Sequence, residues 1–317
     1  MAVTLVEAAK LSQNDLQRGV VETFIQEGRI LDRIPLLEIE GNAYAYNEEA
    51  TLPGVEFRAV NAGYAESTGT VNQRTEGLVI LGGDSDVDRF IQQTRSNLNN
   101  QRVTQDRMKV KAATYKFQDT FINGDTAVDA NSFDGLKKRL TGAQVIDAAT
   151  NGLAVVGADD NARHAFFDLL DALLAAAGLS AGDNGALYMN SMILGKIRSA
   201  ARRVGGWTMT RDDFGRSIDL YNGVAMLDIG KKADGSLIIP QTEVQGASSV
   251  ASSIYAVRFG EDEGDQAVTG LTNGGIQVDD LGQLETKPAL RTRIEFYCGL
   301  AVFGGKGAAR LRGVLNS

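Results

Sequence analysis

The sequence predicts a mixed α+β fold in which a compact α/β block is inserted into a more open frame. Three observations predict it. Residues 84–123 contain neither Pro nor Gly and are expected to form one long helix. Residues 42–82 alternate short strand-like runs with turn-rich pieces, too poor in apolar side chains to bury a core of their own. Beyond the α/β block at 151–284, Ile294, Phe296, Cys298, Leu300 and Val302 alternate with Arg293, Glu295, Tyr297, Gly299 and Ala301, the period of one long strand.

The chain has 317 residues, enough for two domains or one elaborated domain. Its 36 glycines and 4 prolines suit strands, tight turns and loops, and a single cysteine excludes a disulfide scaffold. A net charge of −8 argues against tight, sequence-specific nucleic-acid binding, which usually gathers a basic face. The opening MAVTLVEAAKLSQ lacks the basic flank and apolar run of a signal peptide, and no apolar stretch is long enough for a membrane span. The expected site of synthesis and assembly is therefore a cytoplasm.

Residues 1–41 read as an arm. Ser12 and Asp15 form a capping box ahead of a stripe made by Leu16, Val20, Val21, Phe24 and Ile25, which Gly28 ends. Such a helix packs either on its own domain or on a neighbouring copy, and the residues leave both open. Ile30, Leu31, Ile34, Leu36, Leu37 and Ile39 follow around Pro35. Residues 42–82 read as an extended hairpin with strand-like AYAY, VEFRAV and LVIL.

In the long helix, Ser85 and Asp88 form a second capping box. Asp84 and Asp86 would complement the dipole at its start, and Lys109, Lys111 and Lys116 towards its end. Gly124 would stop it. Unbroken, it would span about 60 Å. Its middle carries only Leu98 and Val103 as apolar residues, so it is expected to brace a surface rather than enter a core. A coiled coil competes, but no heptad is sustained.

Leu136 and Leu140 suggest a short helix. A strong helix follows at 161–177, capped by Asp160 or Asn161 and ended by Gly178, with Phe166, Phe167, Leu169, Leu170, Leu173 and Leu174 on its apolar face. GALYM reads as a strand. A helix from Asn190 to Val204 turns Ile193, Ile197 and Ala201 inward and ends at Gly205 and Gly206. VAMLDI, SLIIP and SSIYAVRF read as strands, completing a block of helices against a sheet.

The search for chemistry yields no catalytic, cofactor or metal set. His164 is the single histidine and reads as a helix-face residue. Cys298 shares a strand face with Phe296 and Leu300 and reads as a small buried hydrophobe. The run GLAVFGGKGAAR fails both phosphate-loop spacings, since Gly305 stands where Lys is needed and Arg310 where the last Gly is needed. Glu261, Asp262, Glu263 and Asp265 lack a calcium-loop pattern. Arg198, Arg202 and Arg203, joined by Arg211, make a basic patch that is either a solvated helix end or a surface facing another subunit or DNA.

The order arm, hairpin, long polar helix, inserted α/β block and returning strand resembles the Hong Kong 97-type fold of tailed-bacteriophage major capsid proteins, which encapsulins share. The texture of 43–81, of 84–123, of NSFDGLKKRL and of RTRIEFYCGLAVFGG is similar to that family's extension loop, spine helix, following segment and returning strand. The resemblance implies a non-enzymatic subunit with an N-terminal arm (1–41), an extension loop (42–82), a peripheral domain with the spine helix (83–150 and 285–317) and an axial domain (151–284). It implies pentamers and hexamers building an icosahedral-type head in the virion around double-stranded DNA, touched without sequence preference. A portal at one vertex and a decoration protein are further partners it suggests, with no membrane. Residues 1–41 are short for a built-in scaffold, so a separate scaffolding protein is expected. The loop holds no Lys from 42 to 82, so the lysine–asparagine crosslink of some members is not expected from it. Glu48, Glu49, Glu56, Glu66 and Glu76 against Arg58 and Arg74 are the candidate contacts of this loop with a neighbour, and Arg198, Arg202 and Arg203 those of the compact block. An encapsulin-like compartment and, further off, a soluble α/β enzyme are the alternative readings.

Overall fold

In a computed structural model of the chain, residues 28–95, 101–157, 159–204, 208–211 and 217–316 are described. The chain runs β1 (Leu36–Glu38), β2 (Ala43–Thr51), β3 (Thr70–Gly77), β4 (Val79–Asp88), α1 (Arg89–Arg95), α2 (Gln101–Asn123), α3 (Leu136–Arg139), β5 (Val145–Asp147), β6 (Leu153–Ala154), α4 (Asp160–Ala177), β7 (Gly185–Met189) and α5 (Ser191–Val204). It continues with β8 (Thr208–Arg211), β9 (Ser217–Tyr221), β10 (Val224–Asp228), β11 (Glu243–Gln245), β12 (Ser248–Arg258), β13 (Val268–Gln283), β14 (Ala289–Val302) and β15 (Ala308–Leu315).

Among the described residues the strands form three sheets. A four-stranded sheet has the order β1-β13-β14-β4. A nine-stranded sheet has the order β5-β15-β12-β7-β10-β9-β8, with β6 beside β15 and β11 beside β12. The third is the two-stranded hairpin β2-β3. GALYM is buried at all five positions because both faces of β7 are covered. Leu187 and Met189 meet the apolar faces of α4 and α5, with Phe166, Leu170, Ile193 and Ile197. Ala186 and Tyr188 face the other way, into a core that reaches α2 and the four-stranded sheet. That second core is an aromatic chain: Phe117 lies 5.9 Å from both Phe133 and Phe296, and Phe121 and Tyr188 each lie 6.4 Å from Phe259.

The long helix departs from its sequence reading. Residues 84–88 continue β4 instead of opening a helix, and α1 begins at Arg89. Asp84 and Asp86 therefore do not serve a helix dipole. They stand opposite Arg293 and Arg291 on β14, each taking two hydrogen bonds of 2.6–3.0 Å. Directly opposed charges of opposite sign favour the strand pairing at these positions. Asp88 is the cap, accepting from the Phe90 N–H at 2.7 Å. No basic residue stands in the last turn of α2. Its C-terminal half is not a surface brace: Val110, Phe117, Phe121 and Ile122 are buried, and they form the seam between the two large sheets. Residues 96–100, between α1 and α2, lie outside the described residues. Gly124 follows the helix where only glycine fits, because a Cβ there would meet the Phe133 carbonyl oxygen at 2.3 Å.

Smaller corrections have local causes. The helix expected from 161 starts at Asp160, because Asp159 accepts from the Ala162 N–H at 2.8 Å. Asn190 caps α5 through the Ile193 N–H, also at 2.8 Å. SLIIP forms no strand beyond one bridge between Lys231 and Leu237, and Ile238 and Ile239 are buried within an irregular segment. The expected boundary at 284/285 also falls in the wrong place. Val268–Gln283, assigned to the inserted block, pairs along β14 in the four-stranded sheet, while Ala308–Leu315, assigned to the frame, pairs with β12 in the nine-stranded one. Of the arm, residues 30, 31 and 34 are buried on their own subunit, with Tyr188 donating to the Arg29 carbonyl at 3.3 Å. The amphipathic stretch at 12–27 lies outside the described residues. No described helix is long and apolar enough to cross a membrane.

Candidate assembly surface

The hairpin β2-β3 pairs in register from Ala43 opposite Gly77 to Glu49 opposite Val71. Its base is fastened at two points. The Tyr46 hydroxyl donates to the Val302 carbonyl at 3.3 Å, and its ring meets Phe303 edge-on at 4.8 Å. Burial pushes the Tyr46 hydroxyl pKa up to about 12, so it stays a donor at any ordinary pH. On the opposite strand, Glu76 takes two hydrogen bonds from Arg139 of α3, at 2.5 and 2.6 Å.

Beyond Thr51 the hairpin opens into a segment with no regular structure as far as Thr70, so VEFRAV does not form the expected strand. Its backbone is organised locally instead. Glu56 accepts from the Ala65 N–H at 2.8 Å, Ser67 donates to the Gly54 carbonyl at 2.8 Å, and Arg58 donates to the Ala62 carbonyl while lying 5.2 Å over the Tyr64 ring. The large apolar side chains of this segment have nothing to bury them within the subunit: Val55 is 95% exposed and Val60 89%, with Leu52, Phe57 and Tyr64 also exposed. Apolar surface concentrated on a projection marks a contact site.

The charged candidates divide. Glu48 and Arg74 are brought together across the hairpin at 2.7 Å, and Glu76 is spent on Arg139. Glu56 and Arg58 hold the tip, and Glu66 is exposed. The Glu49 side chain lies outside the described residues. Arg198 is paired with Asp219 at 2.6 Å, whereas Arg202 and Arg203 are exposed, Arg202 donating to the Arg198 carbonyl. Sequence reasoning missed Arg139, Tyr46 and Phe303 as anchors and undervalued the apolar tip. The basic run Lys137-Lys138-Arg139 beside a short apolar turn was the available signal for the first.

The residues set aside as non-chemical occupy matching environments. His164 is exposed on α4. Cys298 is buried, and burial pushes its thiol up to about 12. Gly304 and Gly305 adopt left-handed conformations in the turn after β14. Among the described residues no group of three or more His, Cys, Asp or Glu is placed to hold a metal ion.

Several solved structures share this architecture. The chain is similar to the SrpI encapsulin of Synechococcus elongatus PCC 7942 in its holo complex, with a TM-score of 0.65 at 18% identity over 100% of this chain and 98% of that one. It is similar to the capsid of a native GTA particle, with a TM-score of 0.60 at 16% identity over 92% and 90% of the two chains. A chain from Mycobacterium phage Bobi gives 0.56 at 14% identity over 90% and 89%. These likenesses define the fold as the Hong Kong 97 type. The family model of major capsid protein GP7 matches residues 12–167, and over that stretch the chain is similar to the Hong Kong 97-fold major capsid proteins. It is a structural shell component and not an enzyme. No curated protein sequence matches it.

Proposed function

We propose that the chain builds the head of a tailed phage, assembling as pentamers and hexamers into an icosahedral-type shell that encloses double-stranded DNA. The observation that carries this reading is the anchored hairpin: a rigid base presents exposed Leu52, Val55, Phe57 and Val60 away from the subunit's own cores. Those side chains reach a low-energy state only against another copy. A separate scaffolding protein, a portal at one vertex, a decoration protein and non-specific contact with packaged DNA belong to the same reading. In domain terms, the four-stranded sheet with α1 and α2 is the peripheral part, and the nine-stranded sheet with α4 and α5 is the axial part.

Electron microscopy and sedimentation of the purified chain, expressed with and without its neighbouring phage genes, test the proposal. Capsomers alone, and uniform shells with a unique vertex when scaffold and portal are supplied, are expected. A small non-assembling oligomer under all conditions would end it. A second reading, an encapsulin-like compartment, is favoured by the full-length match to the SrpI encapsulin. Uniform closed cages formed by this chain alone, holding protein and no DNA, would select it.

A further inference from the structure

The N-terminal half of α2 rests on the four-stranded sheet through a buried polar cluster. Asp106 is only 4% exposed, and its Oδ1 has no hydrogen-bond partner. Ser85 of β4 and Thr292 of β14, a cross-strand pair, are both buried beneath the helix. The cation acting on it is Arg102, one turn earlier on the same helix, and it is committed elsewhere. Its Nε donates to Thr292 Oγ1 at 2.9 Å, and its Nη2 donates to the Arg291 carbonyl at 3.3 Å and to the Asp280 carboxylate of β13. A buried carboxylate with an empty lone pair and a guanidinium turned to a rival is costly when ionised.

We propose that Asp106 is a proton-operated joint between α2 and the sheet: protonated, it seats the helix on Ser85 and Thr292, and ionised, it competes with Asp280 for Arg102 and loosens that seat. The charged groups acting on it are Arg102 on its own helix and Asp280 on β13, while β4 and β14 turn the neutral hydroxyls of Ser85 and Thr292 towards it. Burial raises its pKa, and the Ser85 hydroxyl, Arg102 and Thr292 offset only part of that rise. The folded-state pKa therefore lies above the unfolded value of about 3.9. The cost of ionisation is complete above the folded pKa and disappears as pH falls below the unfolded one, so acid tightens this joint.

The test uses the full chain as wild type, Asp106→Asn and Asp280→Asn, melted between pH 7.5 and pH 4. At pH 7.5 Asp106→Asn should melt about 2–4 °C above wild type, and the gap should close as pH falls. Asp280→Asn releases Arg102 to pair with Asp106, so the pH dependence assigned to Asp106 should shrink. Should Asp106→Asn fail to fold, hydrogen exchange of wild-type residues 101–110, corrected for intrinsic rates, reads the same joint, and protection should rise as pH falls. An Asp106→Asn melting point at or below wild type at pH 7.5, a gap constant across the range, or protection that does not rise in acid would each overturn the proposal.

Discussion

Arg139 of α3 donates two hydrogen bonds to Glu76 of β3, at 2.5 and 2.6 Å, and so ties the projecting hairpin to the body 63 residues further along the chain. Both side chains are about 15% exposed, so the pair is shielded from most solvent screening.

Removing either partner leaves the other charge half-buried. Arg139→Ala or Glu76→Ala should each destabilise the subunit by about 1–3 kcal/mol in urea unfolding. Arg139→Lys should not rescue, since an ammonium cannot reproduce the two-pronged geometry. Full recovery by Lys would mean that charge alone matters here.

Glu48 pairs with Arg74 within the hairpin, an exposed contact worth less than about 1 kcal/mol to the subunit. Glu48→Lys is expected to leave subunit unfolding nearly unchanged and to lower the melting temperature of assembled shells. An equal fall in both would confine the effect of Glu48 to its own hairpin.

Two glycines should respond in opposite directions to the same substitution. At Gly82 in β4 a Cβ would sit 2.2 Å from the Ile294 carbonyl oxygen, so Gly82→Ala should cost about 1–3 kcal/mol or prevent folding. At Gly195, inside α5, a Cβ meets nothing within 4 Å, so Gly195→Ala should stabilise by about 0.5–1 kcal/mol. Chemical denaturation of the two variants measures both.

The outer face of β4 and β14 predicts acid sensitivity. Hydrogen bonds from Arg291 and then Lys287 hold the Asp86 carboxyl well below the usual carboxylate range, and Arg293 lowers Asp84. A depressed folded pKa contributes stability that is present above the unfolded value of about 3.9 and is lost as pH falls through the folded one. The joint variant Asp84→Asn, Asp86→Asn should therefore be less stable than wild type at pH 7 and converge with it under strong acid. A constant difference down to pH 2 would show that these pairs contribute nothing through charge.

Cys298 is buried between strands with its thiol pushed up to about 12, so alkylation at pH 8 should proceed only through unfolding. Mass spectrometry should find it unmodified in native protein and modified in urea. Rapid native labelling would contradict its placement.

Local pattern alone carried a large share of this molecule. The apolar faces of α4 and α5, the stop at Gly178 and the alternation of β14 were legible because each depends on neighbours within a few residues. That a hairpin projects from residues 42–82 was legible too, but its second strand was not: β2 pairs with Thr70–Gly77, which reads as turn-rich, while Val79–Leu81 of LVIL opens β4 and pairs with β14. What the sequence could not decide lay in partners far along the chain. Residues 84–88 have a good helix-start pattern, yet Arg291 and Arg293 draw them into a strand, and no local rule sees residues some two hundred positions away. The same holds for α2, whose polar face reads as a solvent brace until Phe296 and Phe133 close over Phe117. It holds for the exchange of β13 and β15 between the two sheets, and for the spending of Glu76 on Arg139. Sequence periodicity fixes which face of an element is apolar, but only tertiary packing chooses what covers that face, because covering is a long-range competition among all the surfaces the chain can bring together.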